Sequence, residues 1–204
     1  VYGGLTKVFA GIVIAPIGGM VVGLLLTGLI ITIFAKRKPA PVNKIFGKLQ
    51  IVSSAWFALT HGANDGQKTM GIIALILFSA GLIPEFEIPL WVIFAAASAM
   101  GLGTFFGGYK VIKTLGVKIT RLRPYQGFAA ETGGGLMLAA FAIFGIPAST
   151  THAITGTIMG AGAARRKLAV RWRVSRQIVF SWIITIPGAA GMGIGFTYLI
   201  HLFV

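Results

Sequence analysis

Two short stretches of this 204-residue chain gather most of its side chains that can do chemistry. The first is His61-Gly62-Ala63-Asn64-Asp65-Gly66-Gln67-Lys68-Thr69, and the second is Gly145-Ile146-Pro147-Ala148-Ser149-Thr150-Thr151-His152. In the first, Asn64 and Asp65 offer hard oxygen ligands. Gly62 and Gly66 bracket them with residues that tolerate the dihedrals of an unwound turn. Carbonyls freed by such a break would add further oxygens, and one carboxylate among neutral oxygens suits an alkali cation or a proton relay. Read as an extramembrane loop instead, Asn-Asp-Gly is ordinary turn chemistry. In the second stretch, three hydroxyls follow a proline at an expected helix start. The free N–H groups and positive dipole end of such a start bind anions, and hydroxyls add donors without adding charge. Plain N-capping by Ser149 is the competing reading, but a cap needs one hydroxyl rather than three beside a histidine.

Other polar residues are assigned with these two stretches in view. Glu131, within Glu131-Thr132-Gly133-Gly134-Gly135, either ligates a cation or pairs with a buried base. Its glycines permit either close helix approach or local unwinding. Lys68 either pairs with Asp65 across one helical turn or faces an anion. Ala63, Lys68 and His152 are auxiliary candidates. His61 and His152 serve either as proton carriers or as hydrogen-bonded packing groups. Ser149 and His152 share one helical turn, but no third group orients them and no oxyanion hole is evident. No His-Glu-x-x-His string is present, so the chain is not read as an enzyme.

What could hold these groups in place follows from composition. Charged residues make up 11% of the chain and hydrophobic residues 56%, whereas soluble domains average about 25% charged. So few polar residues cannot build a water-facing surface, and the chain reads as an all-α, polytopic membrane protein in contact with the lipid bilayer. With no cysteine, neither disulfides nor thiolate metal sites are available. The formal charge of +14 is concentrated. Lys36, Arg37, Lys38, Lys44 and Lys48 form one block; Lys110, Lys113, Lys118, Arg121 and Arg123 a second; Arg165, Arg166, Lys167, Arg171, Arg173 and Arg176 a third. Blocks between apolar stretches mark cytoplasmic loops. A nucleic-acid partner is not expected, because no aromatics interleave with the basic residues.

The apolar stretches thread accordingly. Residues 1–48 hold a leading span, 8–34, and a basic cytoplasmic loop. Residues 49–204 form a transporter-like repeat: a broken helix 49–83, a span 90–108, a hairpin 125–164 and a span 178–204. The acidic loop at Glu85 and Glu87 lies outside. The second and third basic blocks flank 125–164, so that stretch enters and returns on one side. Its tip falls near Gly145-Pro147, with Pro147 in the first turn of the returning arm. Each arm has about 18 residues, or about 27 Å of helix, which is marginal for a full crossing and fits a re-entrant hairpin. Three net crossings from residue 49 onward are what one half of an inverted-repeat transporter requires. The chain starts at Val1 rather than Met, so either its N-terminus is processed or it is part of a longer polypeptide.

The strings HGANDGQKTMGI (His61 to Ile72), GFAAETGGG (Gly127 to Gly135) and GIPASTTHAITGTIMGAG (Gly145 to Gly162) resemble the signature elements of the inorganic phosphate transporter (PiT) family. The resemblance runs from about residue 49 to the end and is to the C-terminal repeat of a bacterial member. It implies two inverted repeats and transport of inorganic phosphate with Na⁺ or H⁺ as coupling ion, without other cofactors. Some relatives prefer sulfate or carry metal-phosphate complexes. It makes Ser149, Thr150 and Thr151 phosphate-contacting residues. It makes Asn64 and Asp65 the coupling-cation residues, Na⁺ ligands if sodium is the ion; the residue pattern itself adds Glu131 as a helper of that cation site. It also implies a partner: an N-terminal repeat or a separate half, with a homo-oligomer compatible with either. The expected location is a bacterial or archaeal plasma membrane. A different oxyanion, a cation channel or antiporter, and a receptor or scaffold are the rival readings.

Overall fold

Every regular element among the described residues is a helix. The computed structural model describes residues 2–165 and 169–202, so Arg166 and Lys167 of the third basic block and the last two residues of the final span lie outside the described residues. In chain order the helices are α1 (Tyr2–Ile33), α2 (Pro39–Ser79), α3 (Leu90–Lys113, continued by a π-helical turn, Thr114–Ile119), α4 (Pro124–Ile143), α5 (Thr150–Ala163) and α6 (Trp172–His201). Thr6–Ile33, Leu90–Ile119 and Trp172–His201 are long and apolar enough to cross a membrane. With 14 residues, α5 spans about 21 Å. That is short of a bilayer core of about 30 Å, as a re-entrant arm requires.

Two units make up the chain, Val1–Val170 and Arg171–Val204. The second is α6, which carries Pro187 in its interior and exposes Phe180, Ile183, Ile186 and Phe196. The first holds everything else, including both polar stretches.

The expected break in 49–83 is absent, and this corrects the sequence reading. Helix α2 runs 41 residues from Pro39 to Ser79 without interruption. The reason is local. His61 and Asp65 are four residues apart, and Asp65 and Lys68 three apart, spacings that bring side chains together on a helix face. Their contacts of 3.0 and 2.9 Å satisfy Asp65 without any freed carbonyl of α2. Gly62 and Gly66 cost the helix only about 1 kcal/mol each. No atom lies within 4 Å of a Cβ built at Gly62, so Gly62→Ala should stabilise the protein by about 0.4–1 kcal/mol. A lowered midpoint in thermal unfolding in detergent would mean that α2 is unwound there.

Irregular backbone comes from the hairpin tip. Helix α4 ends in a Schellman motif: Ile146 N–H donates to the Phe141 carbonyl at 2.9 Å, and Gly145 N–H to the Ala142 carbonyl at 3.2 Å. Gly145 takes φ +59°, which only glycine adopts without strain. Residues 146–149 are non-helical, and Ser149, itself extended, caps α5 by accepting the His152 N–H at 3.3 Å. Pro147 therefore precedes the cap rather than sitting in the first turn of the returning arm, because the cap residue itself is non-helical.

The hairpin is held between α1 and α2 by glycines. On α5, a Cβ at Gly156 or Gly160 would strike the backbone of Pro16 or Met20 in α1. On α1, a Cβ at Gly19 or Gly23 would strike Ala153 or Thr157 of α5. Small residues four apart on both helices let the two backbones touch. On α4, Gly127, Gly134 and Gly135 lie against the side chains of Gln50, Phe57 and Trp56 of α2. The glycines after Glu131 thus serve close approach, not unwinding. Ala15, Leu138, Phe141, Ala148 and Ala153 form the buried core where α1, α4 and α5 meet.

Candidate functional site

The two polar stretches, some eighty residues apart in sequence, meet in space. Asp65 on α2 is the hub. Its Oδ2 accepts the Thr150 hydroxyl at 2.8 Å and contacts His61 Nε2 at 3.0 Å. Its Oδ1 accepts from Lys68 Nζ at 2.9 Å. Lys68 Nζ also donates to the Ala148 carbonyl at 2.7 Å, in the non-helical backbone just before α5. One carboxylate and one ammonium therefore fasten the start of α5 to the middle of α2. His61 is set by its ring stacking on Phe57, with centroids 5.9 Å apart.

The hydroxyls predicted to bind the anion divide by role. Ser149 is the N-cap, so the capping reading holds for it. Thr150 is buried and spends its O–H on Asp65. Thr151 is exposed and lines a cavity of about 1070 Å³, shared with Gln50, His61, Glu131 and Thr150. Ser149 takes the N–H of His152 with its hydroxyl and that of Ala153 with its carbonyl. The N–H groups of Thr150 and Thr151 precede the first intrahelical bonds and have no acceptor within α5. Two backbone donors and one hydroxyl thus gather at the positive end of α5, beside the Asp65–Lys68 pair.

Glu131 is not brought to Asp65. Its Oε2 accepts the Ser53 hydroxyl at 2.6 Å and its Oε1 the Gln50 amide at 3.3 Å. Ser53 lies twelve residues before Asp65, about 18 Å along α2. Glu131 is therefore a second polar station on the wall of the same cavity. Gln50 and Ser53 were not singled out from the sequence. Their spacing of three residues, which puts both on one face of a helix, was the available signal.

Asn64 and Ala63 do not join the hub. Asn64 makes none of the Asp65 contacts, and Ala63 presents a methyl group to the surface. His152 turns away, toward α1. Pro16 in that helix has no N–H, which leaves the carbonyl of Ile12, four residues earlier, without its helical donor. His152 hydrogen-bonds the backbone of Ile12. That bond ties the start of α5 to α1.

Comparison with known proteins adds to this geometry. The family model described as the Phosphate transporter family matches residues 34–193. A Rhizobium meliloti (strain 1021) protein named a probable low-affinity inorganic phosphate transporter is 50% identical over 191 residues, covering 93% of this chain and 57% of that protein. A Bacillus subtilis (strain 168) protein of the same name is 40% identical over 193 residues, covering 94% and 58%. A solved structure titled the sodium-dependent phosphate transporter aligns with TM-score 0.72 at 23% identity, over 90% of this chain and 63% of that one; this likeness is one of fold. The chain spans a little under three-fifths of the two bacterial relatives.

Proposed function

The chain belongs to the phosphate transporter family, and on that premise we propose that the complete protein is a secondary transporter of inorganic phosphate coupled to a cation, Na⁺ or H⁺. The family is one of transporters rather than enzymes, and this member is an integral protein of the plasma membrane. The observation that carries the proposal is the start of α5, with its free N–H groups and Thr151, seated against Asp65 and Lys68 at the edge of the cavity. Phosphate would take the N–H groups of Thr150 and Thr151, the Thr151 hydroxyl and the remaining donor of Ser149. Positive charge at Asp65, beside the anion, lowers the cost of dehydrating both, so each favours binding of the other. Glu131, with Gln50 and Ser53, would give a coupling ion a second station along the same wall. Residues 49–204 would act as one repeat. Rocking against its inverted partner in the rest of the protein would alternate access.

The test is labelled phosphate uptake by the complete transporter in vesicles, with Na⁺ and pH gradients imposed separately. Uptake driven by one of them and not displaced by excess sulfate is the expected result. Uptake displaced by sulfate as well as by phosphate would point to a broader oxyanion carrier, and cation flux without any anion would sink the proposal.

The divided hydroxyls make a sharper prediction. Thr151→Ala removes a ligand but no structural bond, and should raise the KM for phosphate by about tenfold or more, the loss of one hydrogen bond to a charged group. Ser149→Ala removes the cap and should cost about 1 kcal/mol of stability, read as a lowered unfolding midpoint. Equal effects of both variants on KM, with stability unchanged, would contradict this division.

A further inference from the structure

Lys68 occupies the place that a coupling cation would take. Its Nζ lies between the Asp65 carboxylate, at 2.9 Å, and the Ala148 carbonyl, at 2.7 Å. That carbonyl belongs to the non-helical hairpin tip. A carboxylate paired with a carbonyl freed from a helix is the donor set with which membrane transporters hold alkali cations. Beyond Lys7, Lys68 is also the only cationic residue outside the three basic blocks, so orientation of loops does not account for it.

We propose that the Lys68 ammonium is a tethered cation that fills the Asp65 site, so that phosphate binds at the start of α5 without Na⁺ there. This deepens the phosphate-transport reading and rests on it. An ammonium has three N–H donors; two are spent on Asp65 and Ala148, and one is left for the anion. Its charge cancels that of Asp65, which would otherwise repel an anion held at Thr150 and Thr151. Carried on the same helix as Asp65, it acts at an effective concentration of about millimolar or above, and free Na⁺ must displace it to enter. The other group facing Asp65 from α2 is His61, on Oδ2, and from α5 it is the uncharged Thr150, so among the described residues no further cation contacts Oδ1. If the charge on Lys68 is removed, the two oxygens remain and become an empty alkali-cation site.

The experiment uses the complete transporter in liposomes, at equal pH on both sides and clamped membrane potential. Initial rates of labelled phosphate uptake are compared in sodium chloride and choline chloride. Wild-type rates in the two salts should agree within about twofold. Lys68→Ala should lose about tenfold or more in choline, the loss of a charged hydrogen-bonding partner, and regain uptake as Na⁺ is added. Lys68→Met keeps the bulk of the stem and should behave alike, which guards against collapse of the hairpin onto α2. Wild-type uptake that requires Na⁺ overturns the inference while leaving phosphate transport standing. So do folded variants that Na⁺ fails to revive or that never needed it. No phosphate uptake by the wild type in either salt removes the transport reading, and this inference with it. The wild-type comparison decides even where both variants misfold.

Discussion

Asp65→Asn in the complete transporter will lower phosphate uptake by about 30- to 150-fold, the equivalent of about 2–3 kcal/mol. The substitution keeps the size of the side chain and removes its charge. It leaves three donors, from Thr150, Lys68 and His61, facing one neutral amide that can accept at only one oxygen. Lys68 is then a half-exposed ammonium without its counter-charge. Its remaining partner is the Ala148 carbonyl, and the start of α5 loses its direct bond to α2. Both consequences fall on the anion seat, because Thr150 supplies one of its two free N–H groups. The estimate stays well below the cost of breaking a fully buried pair, since both side chains keep some contact with solvent. Initial rates of labelled phosphate uptake, normalised to folded protein, measure the effect. Unchanged uptake by Asp65→Asn would falsify the role given to the hub. Thr150→Ala alone should be milder, and the double variant should add little to Asp65→Asn, since the two residues act through one bond.

Why the sequence disclosed some of this and concealed the rest can be traced to particular residues. The apolar spans and the hairpin tip were readable because apolar length and turn chemistry act locally: Thr6–Ile33, Leu90–Ile119 and Trp172–His201 are long apolar helices, and Gly145-Ile146-Pro147 marks the tip. The state of His61 to Thr69 was not readable, because glycines around Asn-Asp serve a turn and a helix equally well. What decides is the pairing of Asp65 with residues three and four positions away on its own helix, and with Thr150 from another. The partners of Glu131 were hidden for the same reason: Gln50 and Ser53 come from α2, 81 and 78 residues earlier. His152 answers a vacancy left by Pro16, a relation that no local pattern carries. For Ser149 to Thr151, what neither pattern nor spacing divides is the role of each: the cap belongs to Ser149, and the N–H groups left without an acceptor in α5 belong to Thr150 and Thr151. Sequence pattern marked the two polar stretches; the partners of each side chain depended on contacts made across helices.

Gly160→Ala should destabilise the protein by about 3 kcal/mol or more, lowering the unfolding midpoint by about 10 °C. The same change at Gly62 is expected to stabilise it, and the contrast isolates the cause. Both positions are helical, so alanine improves intrinsic propensity at each. At Gly62 the new methyl group meets open space, whereas at Gly160 it meets the backbone of Met20 and Leu24 in α1. A side chain can rotate away from such a contact; a helix backbone cannot. Relief requires α1 and α5 to separate, which also disturbs Gly156 against Pro16 and Gly23 against Thr157. Because α5 carries Thr150 and Thr151 at its start, separation shifts the anion seat relative to Asp65. Uptake should therefore fall with stability, although residue 160 lies about 15 Å along α5 from Thr150. Thermal unfolding of Gly62→Ala and Gly160→Ala in the same detergent gives the comparison. If Gly160→Ala is no less stable than the wild type, α1 and α5 do not cross backbone to backbone, and the hairpin is held in place by some other contact.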